Sequence, residues 1–279
     1  MDHDPAVSRA VLIAAAGRHH LALTGNPDGC AVLAHRLHTL LPDLDPGQAV
    51  TVAGVHAQAG LTRPDPLRPP WQHPAATLEV VDLIGGRHRP GVVTLAHDGL
   101  LYLDHIQALH PNAFSALVAV LEARRVLLQT ADGQLTRPAD LHLVAACPGA
   151  SRFPAWAARL LDRIDIRTHL DTTTPDPDDS TTTVAQVRAA RHAAKTRWLW
   201  LGQVVTVNAH ATQAALHAAL RGTAAQALHL VDHHVAAGAL SGRGRLGVLR
   251  VALTIADLAG HHLPTVDDMA EALAWRTAT

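Results

Sequence analysis

The stretch HLALTGNPDGCAVLAHRLHTLL, from His20 to Leu41, decides the fold class. His20 to Thr24 is a short apolar run that suits a strand, Gly25 to Gly29 (GNPDG) is a turn, and Ala31 to Leu41 carries apolar residues at helical spacing. A strand that passes through a glycine turn into a helix opens a layered α/β domain with mostly parallel strands. Upstream, Ala6 to Ala16 suits a helix closed by Gly17. Downstream, the five prolines of LTRPDPLRPPWQHP predict a long surface loop without regular structure over Thr62 to Pro74.

Further along, VVTLA (Val92 to Ala96), the turn His97-Asp98-Gly99 and LLYLD (Leu100 to Asp104) predict two strands around a tight turn, the second ending on an acid. Pro111 to Ala123 predicts a helix through Ala113, Phe114, Leu117, Val118 and Leu121, and Asp140 to Cys147 (DLHLVAAC) predicts a buried strand. Asp171 to Thr183, DTTTPDPDDSTTT, holds no hydrophobic residue and reads as a linker. It divides an α/β base, residues 1–172, from a helical domain, residues 184–279, with the linker at 173–183. Helices are expected at Val184 to Leu199, Ala209 to Leu220, Ala224 to Ala237, Leu246 to Leu258 and Val266 to Trp275, punctuated by Gly222, Gly238 and Gly260.

Composition narrows the chemistry. The 279 residues are 48% hydrophobic and 17% charged, with 23 basic against 24 acidic side chains and a formal charge of -1, which argues against a disordered tail or a strongly basic nucleic-acid binder. There is one lysine, Lys195, with three glutamates (Glu79, Glu122, Glu271) and three asparagines (Asn26, Asn112, Asn208), so chemistry that needs these residues has few places to sit. Cys30 and Cys147 form no CxxC pair, which fits a reducing compartment. No apolar run reaches the ~20 residues of a membrane span, and the N-terminus has no basic region before its apolar stretch, so a soluble, cytoplasmic protein is expected.

A strand, glycine turn and helix can bind phosphate through backbone amides and the positive helix end. The full pattern is G-x-x-x-x-G-K-[ST]; the turn from Gly25 to Gly29 is one residue short, and Cys30 and Ala31 stand where Lys and Ser/Thr would be. Asp28 adds a negative charge where phosphate would approach. Two readings stay open, a structural turn and a residual nucleotide pocket. Asp104 is placed to hold Mg²⁺ at a strand end, but His105 follows where such sites usually carry a Glu to polarise the attacking water. The alternative for Asp104 is an acid capping the next turn.

These residues resemble the magnesium-chelatase-like AAA+ ATPases, in particular the ComM/YifB branch with its ChlI-like domain. Ala14-Ala15-Ala16-Gly17-Arg18-His19-His20-Leu21 is similar to the family's AAAGxHNLL, and Leu95-Ala96-His97-Asp98-Gly99-Leu100-Leu101-Tyr102-Leu103-Asp104 to LAHxGVLFLD, with Pro90-Gly91 before it. Leu121-Glu122 with Arg125-Val126 resembles PLExGxV, and Pro138-Ala139 with Leu143-Val144-Ala145-Ala146 falls where the family has PARFxLVAA. Leu160 to Asp165 reproduces LLDRID, Leu240 to Arg243 and Leu249 to Leu258 resemble LSxR and LRVARTIADL, and Ala270 to Arg276 resembles AEALxYR.

The resemblance implies a P-loop AAA+ three-layer α/β sandwich with a mostly parallel sheet, followed by a helical lid. It implies ATP and Mg²⁺ between base and lid, with Gly25, Gly29, Asp104, Arg163 and Arg243 at the nucleotide and Asp104 on the metal. It also implies a homo- or hetero-oligomeric ring, with Arg163 at a subunit boundary and Arg243 as the lid-side arginine. Relatives insert Mg²⁺ into protoporphyrin or move branched DNA. The departures fall together: GPPGxGKT has become GNPDG-CA, the Walker B Glu is His105, PHHT reads Pro74-Ala75-Ala76-Thr77, and the sensor strand reads LVAACPG with no Asn. Neither the branch's Cys-rich insertion nor its protease-like N-terminal domain is expected here.

The leading expectation is therefore a degenerate ATPase with weak or lost hydrolysis, acting as a structural or regulatory ring subunit; the alternative is a working ATPase that remodels DNA or a protein partner. Among basic residues Arg243, Arg245 and Arg250 cluster, which keeps DNA open as a partner. The pairs His19-His20, His233-His234 and His261-His262 are poor chelates, because neighbours on a helix point about 100° apart.

Overall fold

The computed structural model describes residues 5–75, 77–130, 133–150, 152–171 and 180–277. The elements in chain order begin α1 (Pro5–Gly17), β1 (Leu21–Gly25), α2 (Pro27–Leu40), α3 (Pro46–Gln58), β2 (Trp71–Gln72), α4 (Val80–Ile84) and α5 (Val92–Leu95). There follow β3 (Leu100–Leu103), α6 (Pro111–Ala123), β4 (Arg125–Thr130), β5 (Gly133–Pro138), β6 (His142–Pro148), α7 (Ala158–Leu161) and β7 (Ile166–Leu170). Helices close the chain: α8 (Ser180–Trp200), α9 (Gln213–Ala219), α10 (Ala225–Ala236), α11 (Gly242–Ala259) and α12 (Val266–Thr277). This is the expected α/β architecture of mostly parallel strands followed by a helical C-terminal part.

The chain forms two compact units, one from residues 1–41 and 149–279 and one from residues 42–148. In the first, β1 pairs in parallel with β7, from Leu21 opposite Ile166 to Gly25 opposite Leu170. Helix α11 is its centre: Val248, Leu249 and the run Val251 to Ala256 are all buried, and it packs on α1, α8 and α12. Its entry and exit are set locally, by the Ser241 side chain accepting from Gly244 N and by Gly260 at φ +75°. Helix α8 is fastened to α1 by Arg191, whose Nε and Nη2 both donate to Ala15 O in the last turn of α1.

In the second unit β2, β3 and β6 pair in parallel, and β4 and β5 form an antiparallel hairpin. Helix α3 starts on a capping box, Asp45 with Gln48, and α6 starts on Pro111 with His110 Nδ1 accepting from Asn112 N. Arg137 from β5 pins the segment before α5 by donating to the carbonyls of Gly86 (2.6 Å) and Arg87 (2.8 Å).

Two expectations are corrected here. Val92 to Ala96 is not a strand: α5 forms because Gly91 O accepts from both Thr94 N and Leu95 N, and a run this short and mostly buried carries no period to separate helix from strand. The proline-rich segment is not wholly irregular, since Trp71 and Gln72 pair with Leu100 and Leu101 once Pro69 and Pro70 are passed. Helices α2 and α8 begin earlier than expected, at Pro27 and Ser180, and residues 172–179 of the linker, like Ala76, lie outside the described residues.

Candidate functional site

Between β1 and α2 stands a single residue, Asn26. Its side chain caps the helix by accepting from Gly29 N at 3.1 Å, and Pro27 fills the first helical position without an N–H. The other amides of the turn have protein partners too: Gly25 N donates to Ala150 O (3.1 Å), Asn26 N to Leu170 O (2.9 Å) and Cys30 N to Asn26 O (3.0 Å). Only Asp28 N lacks a named acceptor among residues 25–30, and it carries a carboxylate beside it.

Both glycines answer to β7. Gly25 sits at φ +97°, and a Cβ there would run into Leu170 O; a Cβ on Gly29 would stand 2.9 Å from Leu170 Cδ2. Close packing against one leucine explains both positions.

Asp104 and His105 lie in the other unit, directly after β3. Asp104 Oδ1 accepts from His105 N at 2.9 Å and lies 3.1 Å from His105 Nδ1. His105 adopts φ 50°, ψ 49°, a left-handed conformation uncommon outside glycine, and its carbonyl accepts from Ala108 N. The acid thus bonds the backbone of the residue that follows it. Cys147 is the next-to-last residue of the fully buried β6, where burial pushes its thiol pKa up. Among the described residues no group of three or more His, Cys, Asp or Glu side chains is arranged to hold a metal ion.

Of the two arginines, Arg243 meets an acid of the first unit and Arg163 bonds a backbone carbonyl. Arg243 Nε lies 3.5 Å from Asp162 Oδ2, and Ser241 Oγ donates to Asp162 Oδ1 at 2.7 Å. Arg163, next in the chain, donates from Nη1 to Arg159 O at 2.8 Å. Arg276, buried and absent from the sequence-derived site, donates from Nη2 to Asp162 O (2.9 Å) and Oδ1 (3.2 Å) and from Nη1 to Ile164 O. Burial pushes the Arg276 pKa down, while Asp165 and Asp162 hold it up.

Behind these contacts is a buried polar chain that sequence reasoning did not single out. His19 Nδ1 lies 2.9 Å from Asp165 Oδ2, and His19 Nε2 lies 2.8 Å from Thr254 Oγ1. Thr254 also accepts from Asn208 Nδ2 (3.0 Å), and Asn208 joins Trp198 Nε1 and the pair formed by Arg197 and Asp257. Burial raises the Asp165 pKa, but the His19 hydrogen bond and charge, with Arg250 and Arg276, bring it down to about 2. A hydroxyl, imidazole and carboxylate in this order is the geometry of a hydrolytic triad. Here His19 is 0% and Thr254 1% exposed, so no substrate reaches them and the chain serves to hold structure. Gly17 and Gly247 leave room for it: a Cβ on Gly17 would meet His19 and Thr254, and one on Gly247 would meet Asp165. Three quoted motifs, AAAGRHHL, LLDRID and TIADL, therefore meet in one network.

The profile described as magnesium chelatase, subunit ChlI, matches residues 2–158, and that described as magnesium chelatase, subunit ChlI C-terminal, matches residues 177–276. An uncharacterized protein of Mycobacterium tuberculosis (strain ATCC 25618 / H37Rv) is 37% identical over 301 residues, covering 96% of this chain and 59% of that protein. The competence protein ComM of Haemophilus influenzae is 28% identical over 295 residues, covering 96% of this chain and 57% of its own length. The uncharacterized protein YifB of Escherichia coli is 34% identical over 145 residues, 50% of this chain and 28% of that protein. The chain spans about three fifths of the length of the first two of these relatives.

Proposed function

Because the chain belongs to the magnesium chelatase subunit ChlI family, we propose that it is a degenerate ATPase module, a structural or regulatory subunit of a ring rather than its motor. In this reading residues 1–172 form the base and 184–279 the lid. The observation that carries it is the turn after β1, where Asn26, Leu170 and Ala150 already take the amides a phosphate would need. Each amide given to protein removes a charge-stabilising donor from phosphoryl transfer. The residues for Mg·ATP do not fit the group: the one uncommitted amide is that of Asp28, Lys and Ser/Thr are replaced by Cys30 and Ala31, and Asp104 spends an oxygen on its own turn. Arg243, the cation that would have to compensate, is engaged by Asp162.

Calorimetric titration tests the proposal. Mg·ATP and Mg·ADP raised to millimolar concentration should give no saturable heat, and purified protein should release no phosphate above background. Phosphate release that disappears in Asp104→Ala would instead establish a working ATPase, and assays on branched DNA would follow.

A further inference from the structure

In the first unit a cleft of about 910 Å³ opens among α9, the turn after it, α10 and the start of α11. That volume lies within the ~300–1,000 Å³ of small-molecule sites. Leucines supply the apolar lining, with Leu216, Leu220, Leu246 and Leu249 among them, and the same lining holds Arg221, Arg245 and His217 but no carboxylate. In a chain with more acids than bases, a concave site with this balance is locally positive.

Its polar groups are under-committed. Arg221 is exposed and has no acidic partner among the described residues. Arg245 donates from Nε to Asp232 Oδ1 at 2.7 Å, which leaves its Nη groups without a named partner among the described residues. The Thr223 hydroxyl in the cleft wall is buried with no hydrogen-bond partner, and a group left in that state is the kind a ligand or water satisfies. Gly222, at φ +90°, turns the chain between Arg221 and Thr223, and Arg245 and Leu249 share one face of α11.

We propose that this cleft binds a small amphipathic anion, an apolar chain or ring ending in a carboxylate or phosphate. The leucines take the apolar body, Arg221 and Arg245 the anionic head. None of Gly25, Gly29, Asp104, Arg163 or Arg243 lines the cleft, so the nucleotide experiment and this one fail independently.

The test is calorimetric titration with decanoate and with decyl phosphate below their micellar concentrations, beside decanol and decyltrimethylammonium. Single-site binding of either anion is expected, about tenfold weaker in Arg221→Ala and again in Arg245→Ala, the size of one charge-assisted hydrogen bond. The head group that binds more tightly identifies the source, carboxylate or phosphate. Circular dichroism should show Arg221→Ala folded, since that side chain ties no described element to another. Absence of saturable anion binding, equal binding of decanol or of the cation, or unchanged anion affinity in both arginine variants would overturn the proposal.

Discussion

At the scale of single residues, Asp165 carries the clearest consequence. Its folded-state pKa of about 2 lies below the ordinary 3.8, so its contribution to stability is complete above that ordinary value and is lost as pH falls toward 2. The shift is worth roughly 2 kcal/mol, and urea unfolding at pH 6, 4 and 2.5 should show the midpoint falling mainly over the last interval. Asp165→Ala should remove this part of the acid dependence and lower stability by about 1–3 kcal/mol at neutral pH, because the buried His19 Nδ1 loses its hydrogen-bond partner and Arg276 keeps Asp162 but loses the nearby charge of Asp165. Gly17→Ala acts on the same network from its other side: the added methyl enters the space of His19 and Thr254, and a loss of about 1–3 kcal/mol is expected in the same unfolding assay.

At the scale of elements, the two tryptophans of α8 make a paired prediction. Trp198 is 0% exposed and bonded through Nε1 to Asn208, whereas Trp200 is 88% exposed. Trp198→Ala should cost about 3–5 kcal/mol and Trp200→Ala less than about 0.5 kcal/mol, read from denaturation midpoints. Asn26→Ala removes the cap of α2 and should cost about 1 kcal/mol. Elements with local signals were legible: α6 begins on Pro111 and ends on Ala123 as its apolar spacing predicts, and α11 sits around LRVALTIADL. Val92 to Leu95 was not legible, because a run of four residues is too short to set a period. The residue types at the candidate site, from Cys30 to His105, were legible, since each is a residue at a position. The partners of the turn's amides were not, because Leu170 and Ala150 stand far along the chain from the turn they satisfy. For the same reason, His19 gave no local hint of partners 146 and 235 residues away.

At the scale of the whole molecule, the two units follow contacts rather than chain order, and the first is assembled from both ends of the sequence. A truncation ending at residue 171 keeps β1 and β7 but loses α8 and α11, against which α1 packs, together with Thr254 and Arg276. That fragment should fail to give a cooperative thermal transition by circular dichroism while the full chain does. The same discontinuity sets a schedule for synthesis. His19 leaves the ribosome 235 residues before Thr254, and at ~5–20 residues per second that interval is roughly 10–50 s. Throughout it the apolar side of α1, with Val11, Ile13 and Ala14, has no α11 to cover it, although it is fully buried in the finished protein. Until α11 is made, that apolar helix face stays open to other contacts, and slowing translation ahead of α11 should lower the soluble yield of the chain relative to unslowed synthesis.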